Sequence, residues 1–138
     1  MKLEFHHINF VSNDVSKMHD FYTKVLRLEN IPIENFPRPK ETESTGYSGE
    51  IQFATDGSMQ MHLAEKNLDV AAKHKMQINP VEKGHIAFRT DNLDEFLKIL
   101  KEHGIPFSDY GTAFAKEWHQ VFFYDPEGNV VEVHQKVD

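Results

Sequence analysis

His7-Ile8-Asn9-Phe10-Val11-Ser12-Asn13-Asp14-Val15 returns later in the chain as His85-Ile86-Ala87-Phe88-Arg89-Thr90-Asp91-Asn92-Leu93, at a constant offset of 85 − 7 = 78 residues. Histidine, isoleucine and phenylalanine keep their places. Ser12 answers Thr90, Asn13 answers Asp91, Asp14 answers Asn92 and Val15 answers Leu93. A 138-residue chain that repeats itself at about half its length reads as two copies of one structural module. Each copy opens on histidine, the commonest metal-ligating side chain.

Working outward from the repeat, Leu3 to Val11 reads as a strand. Strict alternation puts Phe5, His7 and Asn9 on one face and His6, Ile8 and Phe10 on the other, which assigns His6 to packing. Ser12, Asn13 and Asp14 offer helix caps. Val15, Met18, Phe21, Tyr22, Val25 and Leu26 then recur at helical spacing, with Phe21 and Tyr22 expected in the core. Residues 34–45 are polar and contain two prolines, the composition of a loop. Strands are expected over Glu50–Ala54 and Met59–Ala64, joined by Thr55-Asp56-Gly57-Ser58. These complete a first module over 1–64. Residues 65–83, with a short helix around Leu68–His74, read as a linker.

The second module, 84–138, begins with strand 85–89. A helix follows with Leu93, Phe96, Leu97 and Leu100 on one face, stopped by Gly104. Strands are expected over Pro106–Phe114, Val121–Tyr124 and Val130–Gln135, the last two joined by the turn Asp125-Pro126-Glu127-Gly128-Asn129. Each module therefore reads strand, helix, then about three strands, an α+β organisation within one domain.

Composition narrows the function. Fifteen basic against 22 acidic residues leave a formal charge of −7, which offers no counterion-release energy for nucleic acid. No basic run suggests an anionic membrane surface. There is no cysteine, so thiolate zinc sites, disulfides and cysteine nucleophiles are excluded. The N-terminal residues lack the apolar stretch of a signal peptide, and no segment has the length of a membrane span; the expectation is a cytoplasmic protein.

Glu132 stands out within Val130-Val131-Glu132-Val133-His134. Glutamate is depleted in strands, and burying a carboxylate is costly unless it is paired or bound to metal. Alternation puts Glu132 and His134 on one face and Val131 and Val133 on the other. His7, His85 and Glu132 could thus be aimed into one concavity by three strands. Two imidazoles and a carboxylate leave open coordination positions, as a catalytic divalent metal needs. A fourth donor could come from Gln60 or His62, two residues apart on one face of their strand. His134 is a candidate for the pocket or for orienting a ligand, and Trp118 and His119 are candidates for a substrate pocket. Phe53, Phe114 and Phe122 are assigned mainly to packing.

These motifs resemble the vicinal oxygen chelate superfamily, which includes glyoxalase I, fosfomycin-resistance proteins, extradiol dioxygenases, methylmalonyl-CoA epimerase and bleomycin-binding proteins. The resemblance rests on His7-Ile8-Asn9-Phe10 with Asp14 after it, Phe21-Tyr22, Gly84-His85-Ile86-Ala87-Phe88, and Asp125-Pro126-Glu127-Gly128-Asn129-Val130-Val131-Glu132. It spans nearly the whole chain, and is weakest across 30–50 and 64–83. It implies two βαβββ modules forming a curled eight-stranded sheet around a metal. It implies His7, His85 and Glu132 as ligands, His62 or Gln60 at the fourth position, and Glu132 as the residue that moves a proton. The cofactor would be a divalent ion: Fe, Mn, Ni, Co or Zn. The partner would be a small-molecule substrate, and the assembly a homodimer whose site is often shared between subunits.

Glyoxalase I usually carries glutamate at the fourth position, so Gln60 and His62 depart from it. The single pair of modules and the six residues beyond Glu132 (138 − 132 = 6) favour a glyoxalase-type lyase or isomerase over a thiol transferase or dioxygenase. A sequestering protein of the bleomycin-resistance type is the non-enzymatic alternative. Specificity is expected to lie in 34–50, 65–83 and 105–120.

Overall fold

In a computed structural model of the protein, residues 1–39 and 47–137 are described. The sheet strands are β1 (Leu3–Ser12), β2 (Glu29–Ile31), β3 (Ile51–Thr55), β4 (Gln60–Glu65), β5 (His85–Thr90), β6 (Phe107–Gly111), β7 (Trp118–Tyr124) and β8 (Val130–Lys136). Three helices accompany them: α1 (Val15–Asp20), α2 (Val70–Lys73) and α3 (Leu93–Glu102). The strands form one sheet in the order β2-β3-β4-β1-β5-β8-β7-β6. It is a curled, unclosed α+β sheet, with β2 and β6 as its edges.

The 78-residue echo recurs in three dimensions. β1 pairs in parallel with β4, and β5 pairs in parallel with β8. β1 and β5 join antiparallel at the centre of the sheet, so the first strands of the two repeats touch within one chain. The two principal helices start alike. Asp14 accepts from the Lys17 N–H at 3.1 Å, and Asn92 accepts from the Glu95 N–H at 3.1 Å. Both caps hold an extended φ, −139° and −149°, so the same side-chain oxygen can turn back onto the first helical turn.

α3 buries Leu93, Phe96 and Leu100 against Val121 and Val133. This fixes the direction of β8: Val133 faces the helix, so Glu132 and His134 face the concave side. Gly84, at φ +92°, brings the backbone against the Asn9 carbonyl, where any Cβ would collide. The residue before His85 must therefore be glycine for β5 to enter beside β1.

Several expectations shift. The helix from Val15 ends in a π turn over Phe21–Val25, with the Leu26 N–H reaching back to Phe21 O. This wider turn rotates the register. Tyr22 still stacks near Phe10, but Phe21 is half exposed and not core. β2 was not anticipated, because Glu29-Asn30-Ile31 carries neither alternation nor a β-branched run. β6 ends at Gly111 instead of Phe114, while β7 starts at Trp118 instead of Val121, its polar His119-Gln120 having disguised the strand. Ile33–Asn35 forms a 3₁₀ turn within the expected loop, and residues 40–45 of that loop lie outside the described residues. No helix among the described residues is long and apolar enough to cross a membrane.

Candidate metal centre

Strand register brings together residues that the sequence separates widely. His7 lies opposite Gln60 and Asn9 opposite His62 across β1 and β4. Across β5 and β8, Ala87 lies opposite Glu132 and Arg89 opposite His134. Ala87 follows Asn9 by 78 residues, so Glu132 stands to Ala87 as His62 stands to Asn9. The repeat therefore pairs His62, and not Gln60, with Glu132. Ala87 also lies opposite His7 and is fully buried; its small side chain leaves room between His7 and Glu132.

His7, His85 and Glu132 converge, with their donor atoms all within 4.8 Å of one another. His85 Nε2 lies 3.0 Å from Glu132 Oε1, and His7 Nε2 lies 3.5 Å from the same oxygen. His7 and Glu132 are each 1% exposed. His85 Nδ1 sits 3.0 Å from the Pro80 carbonyl. A carbonyl only accepts, so the ring proton of neutral His85 is on Nδ1 and its Nε2 lone pair faces Glu132. Two acceptors pointing at each other at 3.0 Å call for a cation or proton between them. The donor set thus fits a divalent ion held by nitrogen and oxygen.

His62 is buried beside this set but turned from it. Its ring stacks on His7 with centroids 3.6 Å apart, and its Nε2 bonds Gln60 Oε1 at 2.7 Å. Gln60 is occupied by that bond. Burial drives the His62 pKa well below its ordinary value, and the neighbouring His7 adds to the shift. Burial likewise lowers His7 to about 4, against the opposing pull of Glu132. Burial alone would raise the Glu132 carboxyl, but the surrounding histidines, by charge and hydrogen bonds, hold it well below the usual range. The site is a buried carboxylate ringed by the imidazoles of His7, His85 and His134.

His6 corrects the alternation argument. A bulge between Phe5 and His7 breaks the register with β5, so His6 and His7 both enter the concave side. His6 Nδ1 is 2.8 Å from His7 Nδ1, and its ring lies 4.7 Å from His134 and 5.0 Å from Trp118. One of the two facing Nδ1 atoms must carry the proton. If it is that of His7, its Nε2 is left free toward Glu132. The only hint in the sequence is the doubled histidine inside an otherwise alternating strand.

His134 is fully buried and binds Glu132 Oε2 through Nδ1 at 2.7 Å. Trp118 stacks on it, centroids 4.4 Å apart and planes 3° from parallel. His119 points away from the pocket and pairs with Asp109 at 2.8 Å, so of the pair Trp118-His119 only Trp118 reaches the cavity.

Above the donors lies a cavity of about 80 Å³. Phe36, Phe53, Trp118, Phe114 and Phe122 give it an aromatic wall. The three phenylalanines first assigned to packing (Phe53, Phe114 and Phe122) all reach this wall. Asn9 Oδ1 and Gln120 Oε1 are buried at its lining with no hydrogen-bond partner among the described residues. Buried acceptors of this kind are costly unless something brought into the site satisfies them.

The family model described as Glyoxalase/Bleomycin resistance protein/Dioxygenase superfamily matches residues 4–133. Among solved structures, a hypothetical protein from Bacillus halodurans C-125 is similar at 19% identity and TM-score 0.71, over 100% of this chain and 97% of that one. A Streptomyces coelicolor methylmalonyl-CoA epimerase in complex with 2-nitronate-propionyl-CoA is similar at 17% identity and TM-score 0.64, over 97% of both chains. The epimerase from Mycobacterium tuberculosis is similar at 14% identity and TM-score 0.65, over 97% of this chain and 88% of that one. These structures share the fold. No curated protein matches the sequence.

Proposed function

This chain belongs to the glyoxalase/bleomycin resistance protein/dioxygenase superfamily, and from that premise we propose that it is a metal-dependent enzyme acting on a small molecule with two oxygens to offer a cation. The observation that carries this reading is the convergence of the His7 and His85 Nε2 atoms on Glu132 Oε1 beneath an aromatic cavity. His7, His85 and Glu132 would hold the ion, either Fe, Mn, Ni, Co or Zn, with His62 adjacent as a fourth donor if it turns from Gln60. When bound, such an ion supplies Lewis acidity that stabilises negative charge on a coordinated oxygen.

The chain's own residues do the remaining work. Phe36, Phe53 and Trp118 exclude water around the substrate's apolar part. The amide oxygens of Asn9 and Gln120, without a partner among the described residues, would accept from its polar groups and orient them. Glu132 Oε2 is committed to His134, so Oε1 is the oxygen that would either face the ion or, when released from it, take up and return a proton. Proton transfer next to a carbonyl favours lyase or isomerase chemistry, the class named for the epimerases that share this fold. Thiol transfer and ring-cleaving dioxygenation would each need a second bound reactant beside the substrate. All three donors come from one chain, so the homodimer we also propose is not needed to complete this set.

A sequestering protein of the bleomycin-resistance type is the second reading, favoured by the −7 charge and the apolar cavity. Metal analysis separates the two. The purified protein is expected to take up close to one divalent ion per chain, and His7→Ala to lose it. Protein that takes up no ion from any of the five metals, in a folded state, would leave the sequestering reading standing.

A further inference from the structure

A carboxylate has two equivalent oxygens, and a cation can draw on one or both. Here the fold removes that equivalence. Arg89 Nε donates to His134 Nε2 at 3.0 Å. A guanidinium offers no acceptor, so His134 Nε2 must hold the lone pair and the proton of the neutral ring must sit on Nδ1. That Nδ1–H donates to Glu132 Oε2 at 2.7 Å, leaving Oε1 as the oxygen that faces His7 and His85.

We propose that Arg89 and His134 are positioning residues that reserve Glu132 Oε2, so that Glu132 meets a divalent cation through a single oxygen and leaves its other positions to the substrate. This rests on the metal reading above.

The placement is built into the sheet and not left to side-chain chance. Arg89 and His134 are register partners on β5 and β8, and Glu132 sits two residues before His134 on the same face. Trp118 holds both from one side, stacked on the imidazole and 5.2 Å from the Arg89 guanidinium carbon. A packing role alone gives no reason for a half-buried guanidinium donating to a fully buried imidazole, since desolvating a cation is costly and an apolar pair would fill the space. The arrangement follows the general pattern in which a ligand's remaining hydrogen-bonding atom is fixed by an outer partner.

The test uses the full chain, stripped of metal and titrated with Co²⁺ while its visible absorption spectrum is recorded. His134→Leu removes the N–H. His134→Gln keeps an N–H for Glu132 and an oxygen for Arg89. Arg89→Met leaves the ring in place but frees its tautomer. His134→Leu and Arg89→Met are expected to bind Co²⁺ roughly 10- to 100-fold more weakly than the wild type and with an altered band pattern. His134→Gln is expected to restore both, and the metal-free melting temperatures of Arg89→Met and His134→Gln are expected to stay close to wild type. If His134→Leu proves unable to fold, Arg89→Met against His134→Gln still decides the matter. Wild-type affinity and spectrum in Arg89→Met would overturn the proposal. So would His134→Gln as impaired as His134→Leu, since ring packing on Trp118 would then be what counts. A wild-type protein that leaves the Co²⁺ spectrum untouched would instead defeat the underlying metal reading, before any variant is compared.

Discussion

Glu132 gains its chemical character from its surroundings. A glutamate in a β-branched strand can be read as unusual from sequence, and so can histidines at the head of each repeat. Their protonation states cannot, because these follow from burial. His7 is pushed from the ordinary 6.5 to about 4, and His6 to about 3, chiefly by desolvation. Between those values and 6.5 the unfolded chain binds more protons than the folded one, so stability must fall as pH falls through that window. Glu132 adds to the loss further down: its carboxylate is favoured by the fold, and that stabilisation disappears as pH drops below the ordinary carboxyl value of 4.5. Urea titrations of metal-free protein are therefore expected to show a midpoint that declines steadily from pH 7 to pH 4. A flat midpoint across this range would mean that the histidines are not buried as described. His6 marks the limit of reading at this scale: one bulged residue reverses the face on which a side chain emerges, and no periodicity reports it.

The elements show the same division between local and remote causes. α1 and α3 begin immediately after residues 14 and 92 because short polar side chains there can cap the first turn, a purely local property that the sequence displays. Asp14→Ala and Asn92→Ala are each expected to cost about 1 kcal/mol in denaturant unfolding. The double variant should lose about the sum, since the caps belong to separate helices with no shared partner. A loss in only one of them would break the equivalence of the two repeats. The end of α1 behaves otherwise. Helical spacing continues through Leu26, yet the chain widens into a π turn and leaves Phe21, Val25 and Leu26 exposed. The short β2 and the early start of β7 are likewise fixed by neighbouring strands, because a ladder can recruit residues with little strand preference of their own.

At the scale of the whole molecule, the central β1–β5 pairing turns a tandem repeat into one curved sheet with its donors on the concave side. A ligand held there binds only the folded chain, so occupancy must stabilise the protein by mass action. At free metal about 100-fold above its dissociation constant the gain is about 2.7 kcal/mol, which for a chain of this size raises the melting temperature by roughly 8–10 °C. Calorimetry that shows no shift on adding any of the five divalent ions would speak against a resident metal. Alternation, capping and the 78-residue echo are local or periodic patterns. They pointed to two strand-helix-strand modules and to His7, His85 and Glu132 as donors that could hold a metal, while composition showed the chain to be acidic and free of thiols. Tertiary structure alone decided which atoms meet. The β1–β4 and β5–β8 registers matched His62 with Glu132, the bulge brought His6 inward, and the parallel pairing of β5 with β8 placed Arg89 on His134. Those outcomes depend on contacts between residues dozens of positions apart, set by how strands pair and which side chains are desolvated, and no single stretch of sequence encodes either.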